Sequence, residues 1–535
     1  MKLAIFTTLL IEKSPQALPL GAACCASAVK HNELTKDLCK VQLCPFNLED
    51  PDLSKIKNLN GSQNNFVEAG GKYIAEKLLE MKPDIVAFSV FVWNRLVLEK
   101  AAAILKEKGI LTLAGGPEIT AHPEIFTVFD RVIPGEGENT VPPAIYELLT
   151  RQKAPLQKDL PAMPLYSPYL DETLNPAEYE GALWELARGC PFKCSYCYES
   201  KGQKLVRTFP MDRIEKELDL FAKKKIPQVF VLDPTYNANK KRAIDLINLI
   251  AKKTPHTFYY FEARAEFIDN QLARAFTKIP CALQIGLQSA NENVCKLVNR
   301  PFNRKNFEKG IRALNQEGVI FGLDVIYGLP GDSLKGFKES IDFAINLYPN
   351  NLELFCLSVL PGTDLFDKAS DLHLNFEKEP PYHIINTDRY SKNDIENAGH
   401  IAKACSFFYN EGRAVPWFNT ICHALKTRPS QFFERFYNYL IKLPGEKQNC
   451  CNHKEIEEIQ KDFVKNCLTE RKAGRLANAA LDIISFNGAM SRKTDTGISE
   501  VLNLHYPLEY IESEYSLDLE FFAKNVRMKN NRVKV

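Results

Sequence analysis

ARGCPFKCSYCYES, residues 187–200, places Cys190, Cys194 and Cys197 in a C-x3-C-x2-C spacing. That spacing holds three thiolates on one short loop, around a single centre. A closed tetrahedral zinc site wants four ligands, usually from two C-x2-C pairs. No fourth cysteine or histidine lies near this loop in the sequence. An iron–sulfur cubane with three cysteine ligands leaves one iron without a protein ligand, and that iron can bind a small molecule.

The loop follows ALWELA, the first of six short apolar runs between residues 181 and 365. The others are QVFVLD, FYYFEAR, LQIGLQ, FGLDVIYG and LELFCLSVL. Helical patterns such as MDRIEKELDLFAKKK and SLKGFKESIDFAINL separate most of them. Strand and helix in alternation predict a parallel sheet. Six units predict a partial TIM-like barrel, two short of the eight that close one. An open barrel leaves a lateral mouth for a substrate.

Upstream, residues 1–150 alternate in the same way through KLAIFT, KVQLC, DIVAFSVF, ILTLAGG and DRVIPGEG. They predict a doubly wound, Rossmann-like α/β domain whose ligands sit at the carboxyl ends of its strands. Residues 151–180 carry prolines and little periodicity and read as a linker. The barrel is expected over 181–380. Residues 381–535 read as a mainly helical domain, with helical patterns over 391–410, 416–442 and 452–487 and a mixed final stretch. The basic KNVRMKNNRVKV tail reads as a frayed, solvated end.

The 535 residues are 45% hydrophobic and 25% charged, with a formal charge of +2. Such balance argues against nucleic acid and anionic membrane as partners. The first 21 residues read as a buried strand, not a signal peptide. No apolar stretch reaches the roughly 18 residues of a membrane helix. The expected location is the cytoplasm. There disulfides are disfavoured, and the fifteen cysteines read as metal ligands or buried thiols.

The three-cysteine loop, with aromatic Tyr196 before its last cysteine, resembles the signature of radical S-adenosylmethionine (SAM) enzymes. The resemblance implies that Cys190, Cys194 and Cys197 hold a [4Fe-4S] cluster. Its open iron chelates the amino and carboxylate groups of SAM. Reductive cleavage of the sulfonium C–S bond then gives methionine and a 5′-deoxyadenosyl radical. The electron would come from a reduced flavodoxin- or ferredoxin-type donor.

FEAR, GLQS, LVNR and LDVIYGLPGD place Glu262, Gln288, Arg300 and Asp324 on or after successive strands, with Arg300 expected on the helix after the fourth. They resemble the SAM contacts of the coproporphyrinogen-oxidase-like branch. Glu262 would accept from the ammonium, Arg300 would pair with the carboxylate, and Asp324 with Gln288 would hold the ribose. Taken singly, each reads equally well as a rim salt bridge or cap. Many members carry Gly-Gly-Glu-Pro after the second strand; here LDPTYN stands there, and Asp233 or Thr235 would replace that grip by side chain. VLPGTDL, with Gly362, resembles a segment near the adenine.

AFSVFVWN, GGPE and GEGE resemble a cobalamin-binding domain placed ahead of many radical SAM barrels. That assigns Ser89, Gly115, Gly116, Gly135 and Glu136 to the corrinoid. A generic doubly wound domain whose glycines only make turns is the competing reading. The Asp-x-His-x-x-Gly motif of many cobalamin proteins is missing, and His122 reads as a helix-start residue. Taken together, these features resemble the B12-binding-domain radical SAM proteins. They imply a cobalamin-dependent methyltransferase acting on an unactivated carbon of a small-molecule or peptide substrate. Radical cyclisation, rearrangement or oxidation without methylation is the alternative, and a non-catalytic iron–sulfur or zinc protein the second. CCNH, with Cys450, Cys451 and His453, and Cys467 beyond it, lacks a second paired motif and reads as packing or free thiols.

Overall fold

The protein is described from a computed structural model, which covers residues 1–59, 63–155, 163, 166–200 and 205–535. Part of the expected linker, residues 156–162 and 164–165, lies outside the described residues.

The first unit contains β1 (Lys2–Thr7), α1 (Leu20–His31), β2 (Cys39–Leu43), α2 (Gln63–Glu80) and β3 (Ile85–Ser89). It continues with α3 (Arg95–Glu107), β4 (Leu111–Gly115), β5 (Arg131–Ile133) and α4 (Val141–Thr150). The strands are parallel in the order β2-β1-β3-β4-β5, a doubly wound order with its switch point between β1 and β3. The period-two pattern of β1 divides the two cores. Ala4 and Phe6 face α1 and α4, whereas Ile5 faces α2 and α3.

The second unit runs β6 (Gly181–Trp184), α5 (Met211–Lys224), β7 (Gln228–Val231), α6 (Lys240–Lys253), β8 (Phe258–Ala263) and α7 (Asn270–Phe276). After these come β9 (Cys281–Gln288), α8 (Glu292–Leu297), α9 (Arg304–Glu317), β10 (Ile320–Tyr327), α10 (Leu334–Ile345) and β11 (Asn351–Cys356). Its six strands pair in parallel and in sequence order, so β6 and β11 are edges and the barrel stays open. Side-chain caps start five of its helices: Asn239, Asp269, Asn291, Asn303 and Ser333 each accept a backbone N–H of the first turn. Alternation turns Trp184, Val231, Phe261 and Leu323 toward the helices, where all are buried. The register Glu262–Gln284–Gly322–Asn351, and one layer further Gly286–Asp324–Glu353, lies on the other, inner face.

The last unit holds α11 (Lys392–Cys405), a π-turn over Ser406–Glu411, α12 (Phe418–Ala424), α13 (Pro429–Leu440), α14 (His453–Glu470) and α15 (Ala477–Thr496). Phe408, Phe418, Phe432, Phe436 and Phe463 meet there edge to face.

The tail departs from the expected frayed end. Asn531–Lys534 forms a strand, β13, antiparallel to β12 (Val501–Leu504), and Val535 is buried with its N–H on the Glu500 carbonyl at 2.9 Å. The cause is alternation: Val533 and Val535 turn inward while Arg532 and Lys534 stay exposed or half-exposed, so a basic composition does not prevent pairing.

Candidate functional site

The cysteine loop is fixed from several directions. Asp233, just past β7, accepts the N–H groups of Leu186 and Ala187 on one carboxylate oxygen, both at 2.8 Å. Ser195 N–H bonds the Val298 carbonyl at 2.9 Å, and the Ser195 carbonyl accepts from Leu365 N–H at 2.8 Å. The Asn299 amide reaches the Lys193 carbonyl at 2.6 Å. Phe192 lies under the Arg264 guanidinium, 4.0 Å from its ring centre. Asp233 therefore holds the entry to the loop, and burial lifts its carboxyl to about 6.

Thr235 donates to the Pro234 carbonyl at 2.8 Å and stands 3.9 Å from the Cys190 sulfur. Burial pushes the Cys190 thiol up and the Cys197 thiol to about 11, with Cys194 adding repulsion to both. Neutral thiols of this kind are poised for deprotonation by a metal rather than by water. Among the described residues, no three His, Cys, Asp or Glu side chains converge on one ion. Three thiols without a fourth donor suit a cubane, whose ligands bind separate iron corners.

Tyr196 is packed beside Cys194 and Arg300, and burial raises its phenol. Arg300 donates from Nη2 to the Gly286 carbonyl, while its buried Nε has no partner. It stands beyond α8, not on it as expected: Asn299 adopts φ +51°, and Pro301 follows, so the helix ends before Arg300. Gln288 closes β9 at φ +68° beside a register shift, and its buried Oε1 also lacks a partner. A Cβ on Gly286 would fall 2.4 Å from the Gln288 amide nitrogen, so a larger residue there would displace the Gln288 side chain. Buried polar atoms without partners are costly and rare, and these two stand beside the cysteine loop as places for a ligand's polar groups.

Glu262 and Asp324 face the lumen. Glu262 keeps an accessible surface, as a residue lining a concavity does. Crowding, then Asp324 and Glu199, lift its carboxyl to about 7. Burial lifts Asp324 to about 6, against the pull of the Gln284 amide that donates to it.

The carboxyl ends of the first unit's strands meet this loop. Glu138 and Glu136 pair with Arg188 at 2.7 and 3.3 Å, and Glu136 also pairs with Arg207. Arg188 in turn holds Glu185 at 2.8 Å. Glu136 thus lies in an ion network between units, a role its sequence context did not suggest. Gly116 needs its φ of +107°, since a Cβ would stand 2.5 Å from the Val90 carbonyl. Gly135, at φ +81°, has open space where a Cβ would point, and its N–H bonds Thr120 Oγ1 at 2.9 Å. Ser89 and Gly115 end β3 and β4; their carbonyls accept from Thr8 Oγ1 and Val90 N–H. His122 precedes the 3-10 turn Pro123–Ile125 and lies edge-on to Phe366.

Sequence reasoning missed Glu118, Arg95 and Tyr382. The Tyr382 hydroxyl donates to buried Glu118 at 2.8 Å and accepts from Arg95 at 2.8 Å, joining units 264 residues apart. The only available hint was a glutamate in GGPE. The CCNH group does not assemble: Cys450 bonds Glu455 at 2.9 Å, Cys451 is exposed, and His453 meets Arg492.

Residues 184–344, which contain this loop and the strands around it, match the Radical SAM superfamily. Residues 184–344 thus carry a radical SAM domain. That domain makes the chain an enzyme of the radical SAM class and implies a [4Fe-4S] cluster and SAM. Residues 371–514 match a protein of unknown function, DUF4080. The cobalamin-dependent radical SAM methyltransferase TokK of Streptomyces tokunonensis is 25% identical over 348 residues, 56% of this chain and 50% of TokK. The 2-(S-pantetheinyl)-carbapenam-3-carboxylate methyltransferase of Streptantibioticus cattleyicolor is 25% identical over 307 residues, 48% of this chain and 44% of that enzyme. The chain therefore spans about half the length of these curated relatives. Among solved structures, the cobalamin-dependent SAM radical enzyme OxsB with aqua-cobalamin bound matches 98% of this chain and 84% of its own, at TM-score 0.56 and 14% identity. TsrM of Kitasatospora setae, with cobalamin and a [4Fe-4S] cluster bound, matches 74% of this chain and 85% of its own, at TM-score 0.54 and 12% identity. These likenesses establish the fold: a doubly wound unit, an open radical SAM barrel and a helical final unit. Among the described residues, no helix is long and apolar enough to cross a membrane.

Proposed function

We propose that this chain is a cobalamin-dependent radical SAM methyltransferase acting on an unactivated carbon of a small-molecule or peptide substrate. One observation carries the reading. The loops after β4 and β5, at the ligand edge of a doubly wound unit, abut the three-cysteine loop through Glu136, Glu138 and Arg188. That arrangement brings two cofactor faces to one cavity, as a transfer between them requires.

Cys190, Cys194 and Cys197 would hold the cluster, which supplies reductive cleavage of the SAM sulfonium. Asp233 holds the loop in place, and Thr235 flanks the Cys190 sulfur. Tyr196 shields the site from water. Glu262 accepts hydrogen bonds from the SAM amino group, the Arg300 guanidinium faces its carboxylate, and Gln288 with Asp324 receives the ribose hydroxyls. Ser89, Gly115, Gly116 and Gly135 give a corrinoid a close approach to backbone, and it would supply methyl carriage. Glu136 acts there through the Arg188 network, fixing the loop. A flavodoxin- or ferredoxin-type protein would be the electron donor, and the cytoplasm the compartment.

A second reading, radical chemistry without methylation, is favoured by one relative. The anaerobic magnesium-protoporphyrin IX monomethyl ester cyclase of Rubrivivax gelatinosus is 22% identical over 340 residues. Anaerobic reconstitution, then assay with SAM and dithionite, tests the shared part. The wild-type chain should form 5′-deoxyadenosine and Cys194→Ala should not; cleavage retained in the variant refutes the assignment. Corrinoid bands in the purified chain support the cobalamin reading and their absence after loading refutes it. A product heavier by one CH2 separates methyl transfer from the alternative.

A further inference from the structure

The barrel lumen carries more than the SAM contacts. Phe230 and Tyr260 stack face to face on its inner wall at 4.2 Å between ring centres. Two positions along the same alternation, Leu232 and Phe355 are 40% and 49% exposed although both point inward. Apolar side chains exposed inside a concavity mark a surface for an apolar ligand. On the same inner face of β11, two residues before Phe355, stands Glu353, next to Asp324 in the β10–β11 register.

Glu353 has a specific setting. Its Oε1 accepts from Asn351 Nδ2 at 2.9 Å and from Asn410 Nδ2 at 3.5 Å. Its Oε2 makes no hydrogen bond among the described residues. Asn410 comes from the π-turn of the last unit. Its carboxamide accepts the Leu352 N–H and donates to the Leu352 carbonyl, both at 3.0 Å. A single side chain thus satisfies the open edge of β11 as a neighbouring strand would. The π-turn is what aims it there. The inner face of β6–β11 bears Glu262, Asp324 and Glu353 but neither lysine nor histidine. Arg300, beside this face, donates from Nη2 to the Gly286 carbonyl. A substrate carboxylate would meet like charge there. An ammonium would meet a fixed carboxylate and the Phe355 ring.

We propose that Glu353 is a specificity-determining subsite for a protonated amine on an otherwise apolar substrate. Asn410 of the C-terminal unit is its positioning residue. The inference rests on the radical SAM reading of the lumen as the reaction chamber.

Binding of phenethylammonium, phenethyl alcohol and phenylacetate to the full chain, measured by ligand-detected NMR, tests it. The ammonium should bind about tenfold tighter than the alcohol, the difference between a charge-assisted and a neutral hydrogen bond. Phenylacetate should bind weakest. Glu353→Gln should erase the ammonium-to-alcohol ratio, and Asn410→Ala should reduce it to about threefold at unchanged affinity for the alcohol, a split that mere loss of structure would not produce. Equal binding of the three probes, no binding of the ammonium at millimolar concentration, or a ratio unchanged in Glu353→Gln overturns the proposal. SAM cleavage by the wild-type chain is scored separately. Its failure would defeat the enzyme reading while leaving the amine preference measurable.

Discussion

Arg188 is the perturbation with the widest reach. Its guanidinium meets Glu185 through two bonds of 2.8 and 2.9 Å, Glu138 at 2.7 Å and Glu136 at 3.3 Å. Its side chain is largely covered, as is that of Glu138. Arg188→Met keeps the bulk and removes the charge. Glu136 is half-exposed and retains Arg207, so little is lost there. Glu138 and Glu185 are left near each other without a counter-charge. A charge-assisted bond contributes about 1.5–3 kcal/mol, and breaking a buried pair costs about 3–5 kcal/mol. Because Glu185 is partly solvated, the lower end applies, about 3 kcal/mol. Native-state hydrogen exchange of the amides at 135–138 and 186–189 reads this as a local opening energy. A double-mutant cycle with Glu138→Gln should give a coupling of about 1.5–3 kcal/mol. A coupling below about 0.5 kcal/mol would mean that the network behaves as a solvated surface pair, and the argument for a fixed seam between the units fails.

Asp233→Ala should destabilise by about 2–4 kcal/mol, since it leaves two backbone N–H groups without an acceptor, whereas Asp233→Asn should be close to neutral; chemical denaturation with iron content as a second readout distinguishes them. SAM should bind more tightly as pH rises through about 7, because recognition of its amino group needs ionised Glu262, whose carboxyl burial, then Asp324 and Glu199, hold up; equilibrium dialysis should show this slope and its loss in Glu262→Gln. By the same linkage the raised folded-state value makes the ligand-free chain lose stability between about 4.5 and about 7 as pH rises, and a melting temperature that rises across this interval in the wild type but not in Glu262→Gln contradicts the assignment. Removing residues 531–535 strips β12 of its partner and takes away the apolar burial of Val533 and Val535, for an expected loss of about 2–4 kcal/mol; an unchanged thermal transition would show that the strand contributes nothing.

Much of this architecture is legible in the chain because alternation is a local property. The runs from KLAIFT to LELFCLSVL announce their strands, and the cysteine spacing announces its loop. Legibility fails where geometry depends on distant partners. Arg300 leaves its helix because Asn299 turns left-handed before a proline, a matter of one dihedral. Glu136 reads as a residue of a glycine-rich loop until Arg188 and Arg207, brought near by folding, claim its carboxylate. LELFC shows that Glu353 and Phe355 share a face, but not that the face is the lumen. That depends on which side the helices cover. Asn410 is invisible for a similar reason: nothing in SFFYNE signals that its amide will imitate a strand.

The carboxamide of Asn410 on the Leu352 edge has a wider implication. A barrel two staves short of closure is finished on that side by a separate module rather than by more of itself. Exchange of that module between relatives would redraw the chamber's far wall, and with it the molecules admitted, while the radical-generating apparatus on the opposite strands stayed intact. Diversification in such a scaffold is therefore expected to concentrate downstream of β11, where a change of guest carries no penalty in chemistry.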